Sequence, residues 1–185
     1  MHIDVFFSDP HWGHTNILQL AHRPFSDIHE MNDALISNYN RIVKPDDHVL
    51  WLGDCFFKGG KEWKQETMKR LNGRKSLLLG NHDTGMASML SLGFELVIDD
   101  TIMISMDGVP CRICHYSSVS RVDDERYKDR LPPKVKGEWL IHGHTHSNIK
   151  MEGNRICVCC DAWDYGPVRM EWVKDLVKKA NPKKV

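Results

Sequence analysis

An α/β fold is predicted by the order of the apolar runs along the chain. Short apolar runs alternate with helically spaced segments in the first half, whereas the second half is mostly strand-like. Polar residues of the types that bind metals follow several of these runs at the point where each run ends. The length of 185 residues suits one domain, residues 1–185, that is large enough to bury a substantial core.

The first half supplies the alternating strands and helices. Apolar runs predict strands at residues 3–7, 48–52 and 76–79. Helical spacing of apolar residues predicts helices at residues 28–43, 61–71 and 86–92. A further short helix is predicted after the first strand. Thr15 is its predicted N-cap, because a threonine hydroxyl can accept from the free amides of a first turn.

The second half is mostly strand. Its strand-like runs lie at residues 95–98, 101–106, 110–115, 138–142 and 155–160, and residues 170–179 favour a helix. The charged stretch 121–137 contains Pro132 and Pro133 and separates two of these strands. Its nearly balanced charges are typical of a solvated loop, and its length is also typical of a flap over an active site. The sequence leaves both interpretations open.

The overall charge excludes some classes of partner. Lysine plus arginine and aspartate plus glutamate each number 25, so the formal net charge is zero. A protein that coats nucleic acid or an anionic membrane usually carries a basic surplus, although a nucleotide or a nucleic-acid end is still allowed as a substrate. No apolar run approaches the roughly 18 residues of a membrane span, and the N-terminus has no secretory pattern. We therefore expect a cytoplasmic protein with no membrane partner and no obligatory protein partner.

Five of the six cysteines form two groups that allow three interpretations. Cys111, Cys114 and His115 match the C-x-x-C-H attachment pattern of c-type haem, which requires export. The three cysteines within residues 157–160 could share a zinc site with the first pair. Both groups also lie in short apolar runs, where cysteine packs as a small hydrophobe. We expect this third, structural role for them.

Candidate metal ligands follow the ends of the predicted strands. They are Asp9, His11, Asp54, Asn81, His115, His144 and His146, and the neighbouring His82 and Asp83 lie in the same turns. Strand ends along one edge of a sheet converge, and open α/β sheets place their sites there. A mixture of carboxylate oxygens and imidazole nitrogens suits divalent Mn, Fe, Zn or a related ion. Asp54 is the predicted bridge between two metals because it stands alone at its strand end.

In this order, the motifs resemble those of the calcineurin-like metallophosphoesterase family. The family pattern is D-x-H, G-D, G-N-H-[D/E], a later H, and G-H-x-H. The counterparts here are Asp9-Pro10-His11, Gly53-Asp54, Gly80-Asn81-His82-Asp83, His115 and Gly143-His144-Thr145-His146. The segment beginning Asp161-Ala162-Trp163-Asp164-Tyr165 is similar to small bacterial and phage members. The resemblance therefore covers nearly the whole chain.

The resemblance implies a two-sheet β sandwich flanked by helices, an αββα arrangement with two divalent metals at one edge. Manganese is the first expectation, with Fe, Zn, Ni or Co as alternatives. One implied metal is held by Asp9, His11, Asp54 and His146, and the other by Asp54, Asn81, His115 and His144. His82 is the implied substrate-facing histidine, and Asp83 is expected to hold its imidazole. The expected reaction is hydrolysis of a phosphomonoester or phosphodiester, which includes nucleotide-derived substrates, by a hydroxide that bridges the metals.

Three further residues are candidates for substrate binding: His14, Asn16 and Arg23. Arg23 could pair with a phosphate through two donors or form a surface salt bridge, and the sequence favours neither. The chain lacks the G-D-x-x-D-R-G extension of protein phosphatases in the family, which argues against that activity. The alternative function is a catalytically weak scaffold or binding module on this fold. Such a protein is expected to have lost ligands, and no member of the motif set is missing.

Overall fold

Ten strands and five helices build the fold across residues 2–118 and 127–180, the part of the chain that this computed structural model describes. The strands are β1 (Val5–Phe7), β2 (His48–Trp51), β3 (Arg74–Leu78), β4 (Leu96–Ile98), β5 (Ile102–Met106), β6 (Val109–Cys114), β7 (Trp139–His142), β8 (Met151–Glu152), β9 (Arg155–Cys157) and β10 (Val168–Arg169). The helices are α1 (Ile17–Leu20), α2 (Ile28–Ile42), α3 (Lys61–Lys69), α4 (Met86–Ser91) and α5 (Met170–Ala180). No helix in these ranges is long and apolar enough to cross a membrane.

The strands form two five-stranded sheets. The first has the order β10-β1-β2-β3-β4, in which β1 to β4 are parallel and β10 pairs antiparallel with β1. The second has the order β5-β6-β7-β9-β8, in which β6, β7 and β9 are parallel and both edge strands are antiparallel. Because the inner strands of each sheet are parallel, the loops after them emerge at one edge of that sheet.

The side chains along each strand point alternately to its two faces, and this alternation divides the core into two layers. In β1, Val5 and Phe7 belong to the cluster shared with the helices, whereas Phe6 belongs to the cluster between the sheets. A strand points successive side chains to opposite faces, which explains the division. The inter-sheet cluster joins residues such as Leu50 of the first sheet to residues such as Ile113 of the second. The predicted two-sheet sandwich flanked by helices is therefore confirmed.

Two helices show how the sequence specifies their ends and faces. The Asp27 carboxylate caps α2 by accepting from the amides of His29 and Glu30 at 2.8 and 2.9 Å. The buried residues of α2 recur at helical spacing and are Met31, Leu35, Ile36 and Tyr39. Helix α5 buries Val173 and Val177 in the inter-sheet cluster. Both helices lie where the sequence predicts them.

Some local features differ from the sequence prediction. The N-cap of α1 is Asn16 rather than Thr15, and no side chain caps the helix. The strand predicted at 155–160 ends at Cys157, because a 3₁₀ turn occupies Cys160–Ala162. The two-residue strands β8 and β10 are additions, since elements so short carry no periodic signal. Residues 121–126 of the suggested flap lie outside the described residues.

Candidate metal centre

Two loops that follow neighbouring strands form one side of the site. The loop after β1 carries Asp9 and His11, and the loop after β2 carries Asp54. Their backbones continue to pair beyond the strands. The Asp9 N–H donates to the Gly53 carbonyl at 3.1 Å, and the His11 N–H donates to the Asp54 carbonyl at 3.1 Å. This continued pairing sets the spacing between the side chains of the two loops.

Six of the predicted ligands fall into two groups. The groups are Asp9, His11 and His146, and Asp54, His115 and His144. Within each group, one ligand-type atom of each residue lies within 4.8 Å of the others. The structure thus brings together six of the residues that the family resemblance divides between two metals, although they come from four separate loops along the chain.

Asp54 lies between the two groups. Its Oδ2 is 3.4 Å from Nε2 of His11 in the first group and 3.6 Å from Nε2 of His115 in the second. Burial opposes ionisation of this carboxyl, but the nearby His115 and His11 hold the pKa of Asp54 well below its ordinary value. One carboxylate oxygen therefore faces both groups, which is the geometry that a bridging ligand needs.

Asn81 joins the second group through His115. The Nδ1 of His115 lies 2.5 Å from the Leu52 carbonyl, which can only accept, so this nitrogen carries the proton and donates it. The other ring nitrogen, Nε2, faces Asn81 Oδ1 at 3.0 Å and His144 Nδ1 at 3.2 Å. The Leu52 carbonyl fixes this tautomer, as a hydrogen-bond partner behind a metal-binding histidine commonly does.

The two carboxylate oxygens of Asp9 have different environments. Oδ2 accepts from the Ser8 hydroxyl, from the His144 amide at 2.9 Å and from the Cys159 thiol at 3.2 Å. Oδ1 is buried without a hydrogen-bond partner among the described residues, and so is Nε2 of His11. Buried polar atoms are seldom left in this state. Because both atoms offer lone pairs of the kind that divalent metals bind, these residues fit the implied metals.

The candidate ligands share an unusual backbone conformation. Five of them have a positive φ, between 47° and 66°, namely Asp9, His11, Asp54, His144 and His146. Residues other than glycine rarely adopt this left-handed region, and each instance costs on the order of 1 kcal/mol. Aspartate and histidine are among the residues found there most often. Such strain is concentrated at functional sites in proteins.

Two motif glycines let the loops approach the carboxylates. A Cβ on Gly80 would lie 2.2 Å from Asp54 Oδ1, and a Cβ on Gly143 would lie 2.5 Å from Asp9 Oδ2. Both distances are far inside the contact distance of non-bonded atoms. The glycines of the G-N-H-D and G-H-T-H motifs are therefore required by the space around the ligands.

His82 lies at the opening of the site and belongs to neither group. The residue is exposed, and its ring centroid is 5.3 Å from the ring of His11 and 5.3 Å from the ring of Phe57. Its backbone N–H donates to Asp54 Oδ1 at 2.9 Å. The main chain of His82 is thus fixed by a ligand residue while its imidazole faces the solvent side.

Asp83 does not hold the imidazole of His82, which corrects the sequence prediction. Its Oδ2 accepts from the backbone N–H groups of Asp54 and Gly80, both at 2.9 Å. Its Oδ1 accepts from the N–H of Cys55 at 2.9 Å. Burial raises the pKa of Asp83, and the charge of Asp54 acts in the same direction. Asp83 therefore joins the loops that carry Asp54 and His82 through their main chains.

Arg23 is buried behind the first loop, which corrects its assignment as a substrate-binding candidate. Its side chain is 0% exposed. Nε and Nη2 donate to the two carboxylate oxygens of Asp161 at 2.8 and 2.9 Å. Because these donors are committed inside the protein, neither suggested role describes Arg23: it is not a phosphate partner at the opening, and its salt bridge is not on the surface.

His14 also lies inside the protein rather than at the opening. Its Nδ1 is 3.3 Å from Nδ1 of His11, and its ring stacks on Phe57 with the centroids 3.7 Å apart. Burial, followed by the charges of His11 and His82, lowers the pKa of His14 to about 4. The structure therefore places His14 as a support for His11. Asn16 is exposed at the start of α1, and its contact with substrate stays a prediction.

All six cysteines are buried and free. His115 of the C-x-x-C-H motif faces Asp54, and the groups of metal-binding type within the described residues contain no cysteine. The geometry thus supports the structural interpretation over a haem or zinc site. Two thiols do more than fill space, because Cys159 donates to Asp9 Oδ2 at 3.2 Å and Cys160 donates to the Asp9 carbonyl at 3.3 Å.

Three residues that support the ligands were not predicted as part of the site: Ser8, Cys159 and Asp161. Asp161 Oδ2 accepts from Nδ1 of His146 at 3.0 Å. Burial opposes ionisation of Asp161, but His146 and Arg23 hold its pKa well below the ordinary value. A signal for Asp161 was present in the sequence, because it begins the C-terminal segment that is similar to phage and bacterial proteins.

A two-sheet sandwich with aspartates and histidines clustered at its strand ends defines the metallophosphoesterase class of protein. The chain belongs to the calcineurin-like phosphoesterase family, whose model matches residues 5–107. An uncharacterized protein of Methanocaldococcus jannaschii is 30% identical over 180 residues, which cover 93% of this chain and 89% of that protein.

Similar proteins also occur in a phage and among solved structures. The gene 66 protein of Mycobacterium phage L5 is 27% identical over 180 residues, covering 85% of this chain and 86% of that protein. The crystal structure of a protein of unknown function from Aquifex aeolicus superimposes with a TM-score of 0.73 and 25% identity. That match covers 93% of this chain and 97% of the other. The Aquifex aeolicus protein therefore shares the fold of this chain over nearly its whole length.

Proposed function

We propose that this protein is a dinuclear, divalent-metal-dependent phosphoesterase that hydrolyses a phosphomonoester or a phosphodiester. The observation that carries the proposal is the position of Asp54, whose Oδ2 faces a histidine nitrogen of each ligand group at 3.4 and 3.6 Å. Membership of the phosphoesterase family supports the reaction class. Asp9 Oδ1 and His11 Nε2 are buried and have no hydrogen-bond partner among the described residues, which supports the presence of a cation.

The proposed ligands divide between the two metals as the family motif implies. One set is Asp9, His11, Asp54 and His146, and the other is Asp54, Asn81, His115 and His144. Manganese is the proposed ion, because a mixed set of oxygen and nitrogen donors suits it and its neighbours among the divalent metals. When bound, the two metals supply Lewis acidity toward phosphate oxygens and lower the pKa of a coordinated water.

His82 is the proposed proton donor to the leaving oxygen. Its imidazole is exposed at the opening, close to the ring of His11. An imidazole within reach of a leaving oxygen can serve as its general acid. Asp54 and Asp83 contribute by fixing the loop of His82 through backbone hydrogen bonds.

A cavity of about 310 Å³ adjoins His115 and is the proposed space for the organic part of the substrate. Its walls include Leu79, Tyr116 and Arg130. Arg130 donates to Asp99 at 3.0 Å and its side chain is half-exposed. Apolar and charged walls together suit a group that carries both a flat apolar part and polar atoms, as a nucleoside does.

The test compares metal-free protein with protein reloaded with Mn²⁺, Fe²⁺, Zn²⁺, Ni²⁺ or Co²⁺. The substrates are p-nitrophenyl phosphate, bis-p-nitrophenyl phosphate, cyclic nucleotides and short oligonucleotides. We expect hydrolysis of at least one substrate with Mn²⁺, its loss on chelation, and its return when metal is restored. Activity that persists at full level after chelation would contradict the proposal. Protein that binds metal yet is inert toward every substrate would favour the scaffold or binding module instead.

Asp54→Asn is the decisive variant in that test. It removes the charge that faces both groups, and we expect loss of metal from both and a fall in activity of more than about 100-fold. Asp47→Asn is the matched control, because Asp47 is a largely buried carboxylate that pairs with Arg169 at 3.0 Å outside the site. It should retain activity. Full metal content and near-normal turnover in Asp54→Asn would overturn the bridging role.

A further inference from the structure

Arg23 and Asp161 form a buried ion pair behind the first ligand group. Nε of Arg23 donates to Oδ1 of Asp161 at 2.8 Å and Nη2 donates to Oδ2 at 2.9 Å, so the pairing is bidentate. The two residues are 138 positions apart in the sequence. One contact therefore joins the beginning of the chain to the segment that follows β9.

The other hydrogen bonds of Arg23 hold the loop that carries Asp9 and His11. Nη1 donates to the carbonyl of Pro10 at 2.8 Å, and Nη2 also donates to the carbonyl of Asp9 at 2.7 Å. Asp9 and His11 have φ angles of 58° and 51°. A loop with two residues in the left-handed region persists only where surrounding contacts hold it. Arg23 supplies two such contacts, one at each peptide between the ligands.

Asp161 acts on the third member of the same group. Its Oδ2 accepts from Nδ1 of His146 at 3.0 Å. A carboxylate accepts this bond when the proton is on Nδ1, which leaves the lone pair on Nε2 for a metal. A carboxylate behind a ligand histidine fixes the orientation of the ring and makes the ring a stronger ligand. Arg23 neutralises the buried charge of Asp161, which would otherwise be costly.

We infer that Arg23 and Asp161 are positioning residues of the metal centre, a role that rests on the proposed function. Asp161 orients His146 and strengthens it as a ligand, while Arg23 holds Asp161 and the loop of Asp9 and His11. All three members of the first group thus depend on one ion pair. The second group is oriented by other contacts, such as the Leu52 carbonyl behind His115. Loss of the ion pair should therefore weaken one metal site selectively.

The test is a titration of the full-length Asp161→Asn variant with Mn²⁺, followed through the electron paramagnetic resonance signal of free Mn²⁺. Wild type is expected to bind one ion for each of the two ligand groups. The variant should bind one ion with unchanged affinity and the other about 10–100-fold more weakly. Asp47→Asn is the control, since it breaks the ion pair with Arg169 away from the site. It should lower the melting temperature and leave both affinities unchanged.

Two further variants keep the test informative if Asp161→Asn does not fold, because a buried arginine without its partner is strongly destabilising. The double variant Arg23→Gln/Asp161→Asn removes both charges, and we expect it to fold while binding one ion about 10-fold more weakly. Arg23→Lys keeps the positive charge on a single donor nitrogen. It should therefore lose less metal affinity than the double variant does.

The outcomes separate this inference from the proposed function. Variants that melt at a lower temperature, as Asp47→Asn is expected to, yet bind both ions as tightly as wild type would show that the ion pair only stabilises the fold, and the inference would fail. The titration needs no substrate. A wild type that binds two ions but hydrolyses nothing would overturn the proposed function, whereas a selective loss in the variants would still support the positioning role.

Discussion

Oδ1 of Asp54 accepts a hydrogen bond from the backbone N–H of His82 at 2.9 Å. The same carboxylate turns Oδ2 toward histidines of both ligand groups. The loop that presents His82 is therefore tied, through its main chain, to the residue proposed to bridge the metals. Because the imidazole takes no part in this hydrogen bond, the side chain of His82 can be replaced without releasing the loop.

His82→Ala and His82→Gln should therefore keep the metals and lose proton donation. We expect normal metal content and a loss of about 10²–10⁴-fold in turnover of alkyl phosphoesters. The loss should be much smaller for p-nitrophenyl esters, because this leaving group departs without a proton. Steady-state kinetics on the paired substrates, at equal metal content, measures the difference. Equal losses for both leaving groups would rule out the donor role.

Gly80→Ala should damage the centre without changing a ligand. The added Cβ would lie 2.2 Å from Asp54 Oδ1, so one of the two loops must move. We expect weaker metal binding and a loss of about 1–3 kcal/mol in the free energy of unfolding. Gly85→Ala is the matched control, because nothing lies within 4 Å of its Cβ position. Equal metal affinity in the two variants would mean that the site tolerates the displacement of Asp54.

Cys159 and Cys111 should respond differently to replacement by alanine. The Cys159 thiol donates to Asp9 Oδ2, whereas Cys111 packs between the sheets. Cys111→Ala should lower the free energy of unfolding by about 1 kcal/mol and leave metal affinity unchanged. Cys159→Ala should also weaken metal binding, and Cys159→Ser should restore part of it through its hydroxyl donor. Metal titration alongside thermal melting checks both. Loss of metal in the Cys111 variant alone would contradict these roles.

Removal of metal should lower the melting temperature. A ligand that binds only the folded state stabilises it by about 2.7 kcal/mol per site when its free concentration is 100 times its Kd. Acid should also lower the melting temperature, because it releases the metal. Histidine binds metal only when neutral, and its ordinary pKa is about 6.5. Calorimetry with Mn²⁺ and with chelator, at pH values on either side of 6, tests this. A melting temperature that never depends on Mn²⁺ would count against a metal centre.

Much of the clustering at the candidate site was predictable because each proposed ligand lies close behind an apolar run. Asp54 follows the run that ends at Leu52, and His144 follows the run that ends at His142. The run predicts a strand, and the parallel order of strands brings the loops to a common edge. Both steps depend on short stretches of sequence, which is why local patterns were enough.

The supporting residues were harder to predict because their partners are distant in the chain. Arg23 bonds with a residue 138 positions away, and Asp83 accepts from amides 28 and 29 positions earlier. Periodicity describes which face of a strand or helix is buried, and it contains no information on such pairs. A charged residue that ends up buried therefore looks, in sequence, like any other charged residue.

The left-handed backbone of Asp9, His11, Asp54, His144 and His146 has a consequence for protein engineering. Glycine would relax the main chain at each of these positions. A design procedure that scores backbone strain alone would therefore favour glycine there, and each such substitution would delete a proposed metal ligand. At these five sites, relief of backbone strain and the proposed metal binding therefore favour opposite substitutions. Any effort to make this protein more robust should hold them constant and seek its improvements on the helices.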